Sequence, residues 1–175
     1  MKKNKLLLLS LGFLLVSAAL FSLFLPYHEA RVDALLWYFN DPAFWYLPEK
    51  DVSIPIFTIT YGGLITYFII NRNTKYFLSR LAFSYGVLLF FRTLTLTLFP
   101  LKEPDTIIYL SDPFLNTFIY QGTIDSDLFF SGHTALICLF FFLTDKWRWF
   151  FTLIGFILGV LLMIQRVHYS IDILA

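Results

Sequence analysis

A series of apolar stretches, most of them near bilayer length, constrains this chain more than anything else in it. A membrane-crossing helix needs roughly 20 mostly apolar residues. The chain offers residues 6–25, closed by Pro26, then 54–70, which end at the polar stretch 71–75. A third run covers about 76–99 and ends at Pro100, a short fourth covers about 128–143, and a fifth about 147–164. A sixth begins near Val167, but only nine residues remain before the chain stops at Ala175. That is ~14 Å of helix, so the chain reads as a fragment or as one that has lost its natural C-terminus. Only 14% of the 175 residues are charged and 58% are hydrophobic, whereas soluble domains carry about 25% charged residues. A soluble chain of this size has too little interior to hide that apolar surface. The expected fold is all-α: one polytopic membrane helical bundle over residues 1–175, of about six transmembrane helices with the last one truncated.

Other features are quieter. There is no repeat, low-complexity tract or long linker. The net charge of +1 gives no general attraction to nucleic acid. The lone Cys138 lies in an apolar run, allows no intrachain disulfide and reads as a small core residue. Lys2, Lys3 and Lys5 precede the first apolar run as in a signal peptide. That run is long for one and no small-x-small cleavage site follows, so it reads as a retained helix.

Lys and Arg are distributed unevenly between the two sides. Lys2, Lys3, Lys5, Arg72, Lys75, Arg80, Lys146 and Arg148 fall on one side if every run spans. The other side receives Arg31, Lys50 and Lys102 with ten acids: Glu29, Asp33, Asp41, Glu49, Asp51, Glu103, Asp105, Asp112, Asp125 and Asp127. The positive side, with the N-terminus, is then cytoplasmic, and the loops 26–53 and 100–127 lie outside. Trp37, Tyr38, Trp45 and Tyr46 suit an aromatic belt or interfacial helix there.

Polar and ionisable groups at membrane depth are costly, and each is a functional hypothesis by default. Three clusters stand out: residues 92–100, from Arg92 through Thr95 to Pro100; residues 130–134, Phe-Ser-Gly-His-Thr; and residues 166–172, Arg-Val-His-Tyr-Ser-Ile-Asp. The topology puts all three at the outer end. His168 and Asp172, four apart, share a face on a helix, where the carboxylate fixes the imidazole tautomer and leaves the other nitrogen to act. Arg166 adds a planar cation suited to phosphate oxygens. Ser131 is a plausible helix cap, Gly132 permits close backbone approach, and a helix start there favours an anion, with His133 and Thr134 alongside. Arg92 shares a face with Thr95 and needs an anionic partner or water. Two histidines, a carboxylate, two arginines and a helix N-terminus fit phosphoryl transfer, one histidine attacking and the other protonating the leaving oxygen.

The residues 131–134 (Ser-Gly-His-Thr) and 168–172 (His-Tyr-Ser-Ile-Asp) resemble signatures of the type 2 phosphatidic acid phosphatase superfamily, and more closely its sphingomyelin synthase-like branch. The stretch Arg92, Thr95, Pro100 is similar to a degraded Arg-x-x-Thr…Pro motif of that branch. The resemblance covers about residues 92–175. It implies that His168 is the nucleophile, that Asp172 orients it, and that His133 is the general acid and then base. It further implies that Arg92 and Arg166 bind the substrate phosphate, with no metal or other cofactor; Ser131, Gly132 and Thr134, at the expected helix start, are further candidates to bind it. The Lys-x6-Arg-Pro motif of the classical phosphatase branch is absent, and Leu162 stands six residues before His168 where that branch has arginine.

Plainer readings exist for each group. Asp172 also suits a helix cap, Arg166 a snorkelling anchor, Ser131 and Gly132 an ordinary helix start, and His28 a solvated loop position. A zinc site of His133, His168, Asp172 and Asp127 is opposed by the two arginines. The favoured function is a lipid phosphotransferase that moves a phospho-head group to a lipid alcohol. The alternatives are a hydrolase of phosphatidate or a polyprenyl diphosphate, with water as acceptor, and a non-catalytic membrane scaffold or lipid carrier. The partners in the favoured case are a membrane phospholipid and a lipid alcohol or water; the oligomeric state is not legible.

Overall fold

The computed structural model describes residues 2–33, 39–112 and 131–174. Among these, every regular element is helical: α1 (Lys2–Asp33), a 3-10 turn (Pro42–Trp45), α2 (Ser53–Asn71), α3 (Phe77–Leu98), α4 (Gly132–Leu143), α5 (Arg148–Ile164) and a short α6 (Ser170–Leu174). The all-α reading holds. By length and composition, α1, α2 and α3 are long and apolar enough to cross a membrane. The apolar α4 and α5 are shorter, at 12 and 17 residues.

Three expectations are corrected. The first helix does not close at Pro26 but runs through it to Asp33. Proline removes one N–H and crowds the carbonyl four residues back, yet the turns beyond it are held from outside. Arg31 Nη1 donates to the Thr97 carbonyl at 2.7 Å. His28 is therefore not in a solvated loop: it is 1% exposed on α1, stacked on Phe24 at 5.4 Å. Cys138 is exposed rather than a core residue.

Packing divides the bundle in two. Gly86 brings α3 close to α1, since a Cβ there would lie 2.8 Å from Phe13 Cδ1 and 3.3 Å from Leu14 Cα; small residues commonly admit such approach between membrane helices. The remaining long helices enclose a core of Ile56, Tyr67, Ile137, Phe140, Phe151, Leu158 and Leu162. Within it Tyr67 stacks on Phe140 at 4.5 Å, and Phe151 meets Phe140 edge-on at 5.7 Å.

Bonds between element ends fix the alternation of direction. Asn71 Nδ2 donates to Thr144 Oγ1 at 3.1 Å, joining the ends of α2 and α4. At the opposite end Lys50 N donates to the Ile164 carbonyl at 3.3 Å, and Ser131 N to the Asp172 carbonyl at 3.1 Å. The end of α5 and the starts of α2, α4 and α6 thus share one end of the bundle.

Candidate active site

Residues 165–169 form the turn between α5 and α6. His168 lies in this turn, not on a helix, so the expected shared helical face with Asp172 is corrected. The two side chains meet nonetheless. His168 Nδ1 is 3.6 Å from Asp172 Oδ2, and they are 5% and 1% exposed. That separation suits an ion pair and exceeds a hydrogen bond. The same Oδ2 accepts the Tyr169 backbone N–H at 2.9 Å. This is one half of a capping box, with Tyr169 at the cap and Asp172 three residues on. Asp172 is therefore both a helix cap and the carboxylate beside His168. With Nδ1 turned to Asp172, Nε2 is the nitrogen left for other work.

Ser131 caps α4, its hydroxyl accepting from Thr134 N at 3.5 Å, and the Thr134 hydroxyl donates back to the Ser131 carbonyl at 3.1 Å. Next along the first turn, His133 sets its ring edge-on to Phe57 at 5.9 Å. It lies within electrostatic range of His168, Arg92 and Asp112. Buried Asp112 accepts the Tyr61 hydroxyl at 2.6 Å.

Arg92 comes to the same place from α3. A Cβ on Gly132 would overlap Arg92 Nη1 and lie 2.8 Å from its Cζ, so only glycine admits the guanidinium there. On its other side the guanidinium sits over Phe21 of α1, 5.3 Å from the ring centroid. A cation at a helix N-terminus meets the positive end of the macrodipole, and the pair together favours an anion between them. The hydroxyls of Thr93, Thr95 and Thr97 donate to the carbonyls of Leu89, Arg92 and Thr93, so the polar run of α3 is satisfied within the helix.

Arg166 has φ 61° and is 6% exposed, so it is not a snorkelling anchor. Its Nη2 donates to the carbonyls of Phe44 and Leu47, both at 2.9 Å, and its guanidinium lies 4.2 Å from the Phe44 ring centroid. It clamps the 3-10 turn onto the α5–α6 turn. Its Nε and Nη1 are buried without a hydrogen bond among the described residues.

Sequence reasoning missed Gln165, Asp41 and the burial of Asp112. Gln165 is fully buried, and its amide donates to Asp51 Oδ1 at 3.2 Å, Ser53 Oγ at 3.0 Å and the Ile108 carbonyl at 3.1 Å, while its oxygen accepts from Val52 N. The signal was a glutamine closing an apolar helix, which is costly unless bonded. The backbone N–H of Ser53, then its hydroxyl and the Gln165 amide, hold the Asp51 carboxyl below its ordinary range. Tyr169 is fully buried, its hydroxyl donating to the Lys102 carbonyl at 3.0 Å. Burial, and then the Asp172 carboxylate, push that hydroxyl well above its ordinary pKa. Asp125, Asp127, Trp37 and Tyr38 lie outside the described residues, and with Asp127 goes the fourth ligand of the zinc reading.

An open apolar groove of about 1310 Å³ adjoins this end. Thr95, Ser131, Thr134 and Asp172 line its polar end, and Phe142 and Thr152 its far end. No protein-family model, curated protein or solved structure matches this chain.

Proposed function

We propose that this chain is a multi-pass membrane lipid phosphotransferase, resembling sphingomyelin synthase, that moves a phospho-head group from a glycerophospholipid to a lipid alcohol through a phosphohistidine. The N-terminus is cytoplasmic, about six helices span, and the site faces the outer side. The observation that carries the reading is the buried His168–Asp172 contact, 3.6 Å long, at the bundle end that also holds His133 and Arg92.

The chemistry follows the positions. His168 Nε2 attacks phosphorus while the bond from phosphorus to the glyceride oxygen breaks, and His133 gives that oxygen its proton. Asp172 stabilises the charge that develops on the His168 ring. His133 then takes the proton of the acceptor hydroxyl, which attacks phosphorus as the P–N bond breaks. Arg92 and the α4 start hold the equatorial oxygens. Arg166, whose Nη2 is engaged by backbone carbonyls, offers Nε and Nη1 to the phosphate. The adjoining groove supports a substrate with long apolar chains.

The test is transfer of label in vesicles that hold a head-group-labelled phospholipid, with ceramide or diacylglycerol as acceptor. Label on the acceptor in wild type, lost in His168→Ala, is the expected result. Label released only to water makes the chain a hydrolase. Turnover unchanged in His168→Ala removes the phosphohistidine and leaves a scaffold or carrier.

A further inference from the structure

We infer that Asp41, in the loop between α1 and α2, is a positioning residue for His168; this rests on the proposed reaction. Asp41 is 2% exposed. Its Oδ1 accepts the Ala43 N–H at 2.9 Å and caps the 3-10 turn. Its Oδ2 accepts the backbone N–H of Ser170, 129 residues away in sequence.

Ser170 is the first residue of α6, two after His168. The turn that carries His168 is thus gripped by two carboxylates on adjacent N–H groups: Asp172 on Tyr169 and Asp41 on Ser170. Asp172 lies on α6, directly after the turn. Asp41 stands outside that turn, on the segment 39–52 that leads into α2 and that Lys50 N ties to the Ile164 carbonyl at the end of α5 at 3.3 Å; from within the turn, Arg166 bonds Phe44 and Leu47 and Tyr169 stacks on Phe44 at 5.6 Å. The Asp41–Ser170 bond therefore ties the His168 turn to the segment that leads into α2. Both of its oxygens accept, which a carboxylate can do and an amide cannot, since an amide offers one oxygen. An asparagine here must turn its NH₂ toward either Ala43 N–H or Ser170 N–H.

The experiment uses the full chain in vesicles and compares Asp41→Asn, Ser170→Pro, both together, and Ser170→Ala. Proline at the first helical position is well accepted, so Ser170→Pro removes the N–H without breaking α6 and guards against an Asp41 variant that fails to fold. Ser170→Ala keeps the N–H and controls for the hydroxyl. Asp41→Asn and Ser170→Pro are each expected to lower kcat for lipid transfer about 10–100-fold with KM unchanged. The double variant is expected to be no worse than either single one, and Ser170→Ala to match wild type. A general loss of structure would not give that split or that coupling.

Carbethoxylation of His168, followed by mass spectrometry, gives a readout independent of turnover. Its rate is expected to rise in Asp41→Asn and Ser170→Pro but not in Ser170→Ala. If wild type transfers no lipid yet His168 becomes reactive in both variants, the reaction fails and the positioning role stands. Unchanged His168 reactivity in both variants, wild-type kcat in Ser170→Pro, or effects that multiply in the double variant would each overturn it.

Discussion

The guanidinium of Arg92 lies directly on Gly132, filling the space that a Cβ would occupy. The contact sets a charge from α3 at the first turn of α4. It makes Gly132→Ala an informative change, because alanine is favoured over glycine in a helix by about 1 kcal/mol. Gly132→Ala is expected to leave the melting temperature near wild type and to lower lipid turnover at least about tenfold, as Arg92 is displaced. Thermal unfolding in detergent beside the transfer assay checks this.

Asp172→Asn separates the two uses of that side chain. An asparagine oxygen can still accept the Tyr169 N–H, so the cap survives and the stability loss stays below about 1 kcal/mol. The charge beside His168 is gone, and turnover is expected to fall on the order of 10²–10⁴-fold. Equal losses of stability and turnover would mean that Asp172 is a cap alone.

Gln165→Leu removes the side chain that ties residues 51–53 and 108 to the end of α5. The Val52 N–H and its neighbours lose their buried partner, and a loss of about 2–4 kcal/mol is expected. Chemical or thermal unfolding in detergent measures it.

Asp51 gives the site end an acid sensitivity. Its folded pKa is lowered, chiefly by the Ser53 N–H, below an unfolded value of about 3.9. Its contribution is therefore present above the unfolded value and lost as pH falls through the folded one. Because Asp51 is exposed, solvent screens the effect and keeps it small. The melting temperature of wild type is expected to drop more steeply than that of Asp51→Asn below about pH 4. Parallel curves would exclude this role.

The long helices were legible because each apolar run is a local pattern. Pro26 misled because the rule for proline is also local, whereas the contact that secures the following turns joins Arg31 to Thr97, 66 residues further along the chain than Arg31. The site residues were legible as a set at one end, but not their arrangement. Nothing near Gly132 in sequence announces that Arg92 rests on it. Gln165 finds partners 112–114 residues away in the stretch 51–53, and no periodicity reports such pairing. His168 is expected on a helix because a new apolar run begins near Val167, whereas the turn over residues 165–169, with Arg166 at φ 61°, delays the helix to Ser170.

The clamp of Arg166 on Phe44 and Leu47, and of Asp41 on Ser170, spans 119–129 residues of chain. A nascent polypeptide emerges from its N-terminus, so the 3-10 turn waits for its partners until almost all the described residues have been made. Packing of α1 on α3 needs none of that delay. The α1–α3 contact can therefore form once residue 98 has been made, whereas the contacts of the His168 turn with the 3-10 turn cannot all form before residue 170, and they carry the loop-closure cost of these long separations.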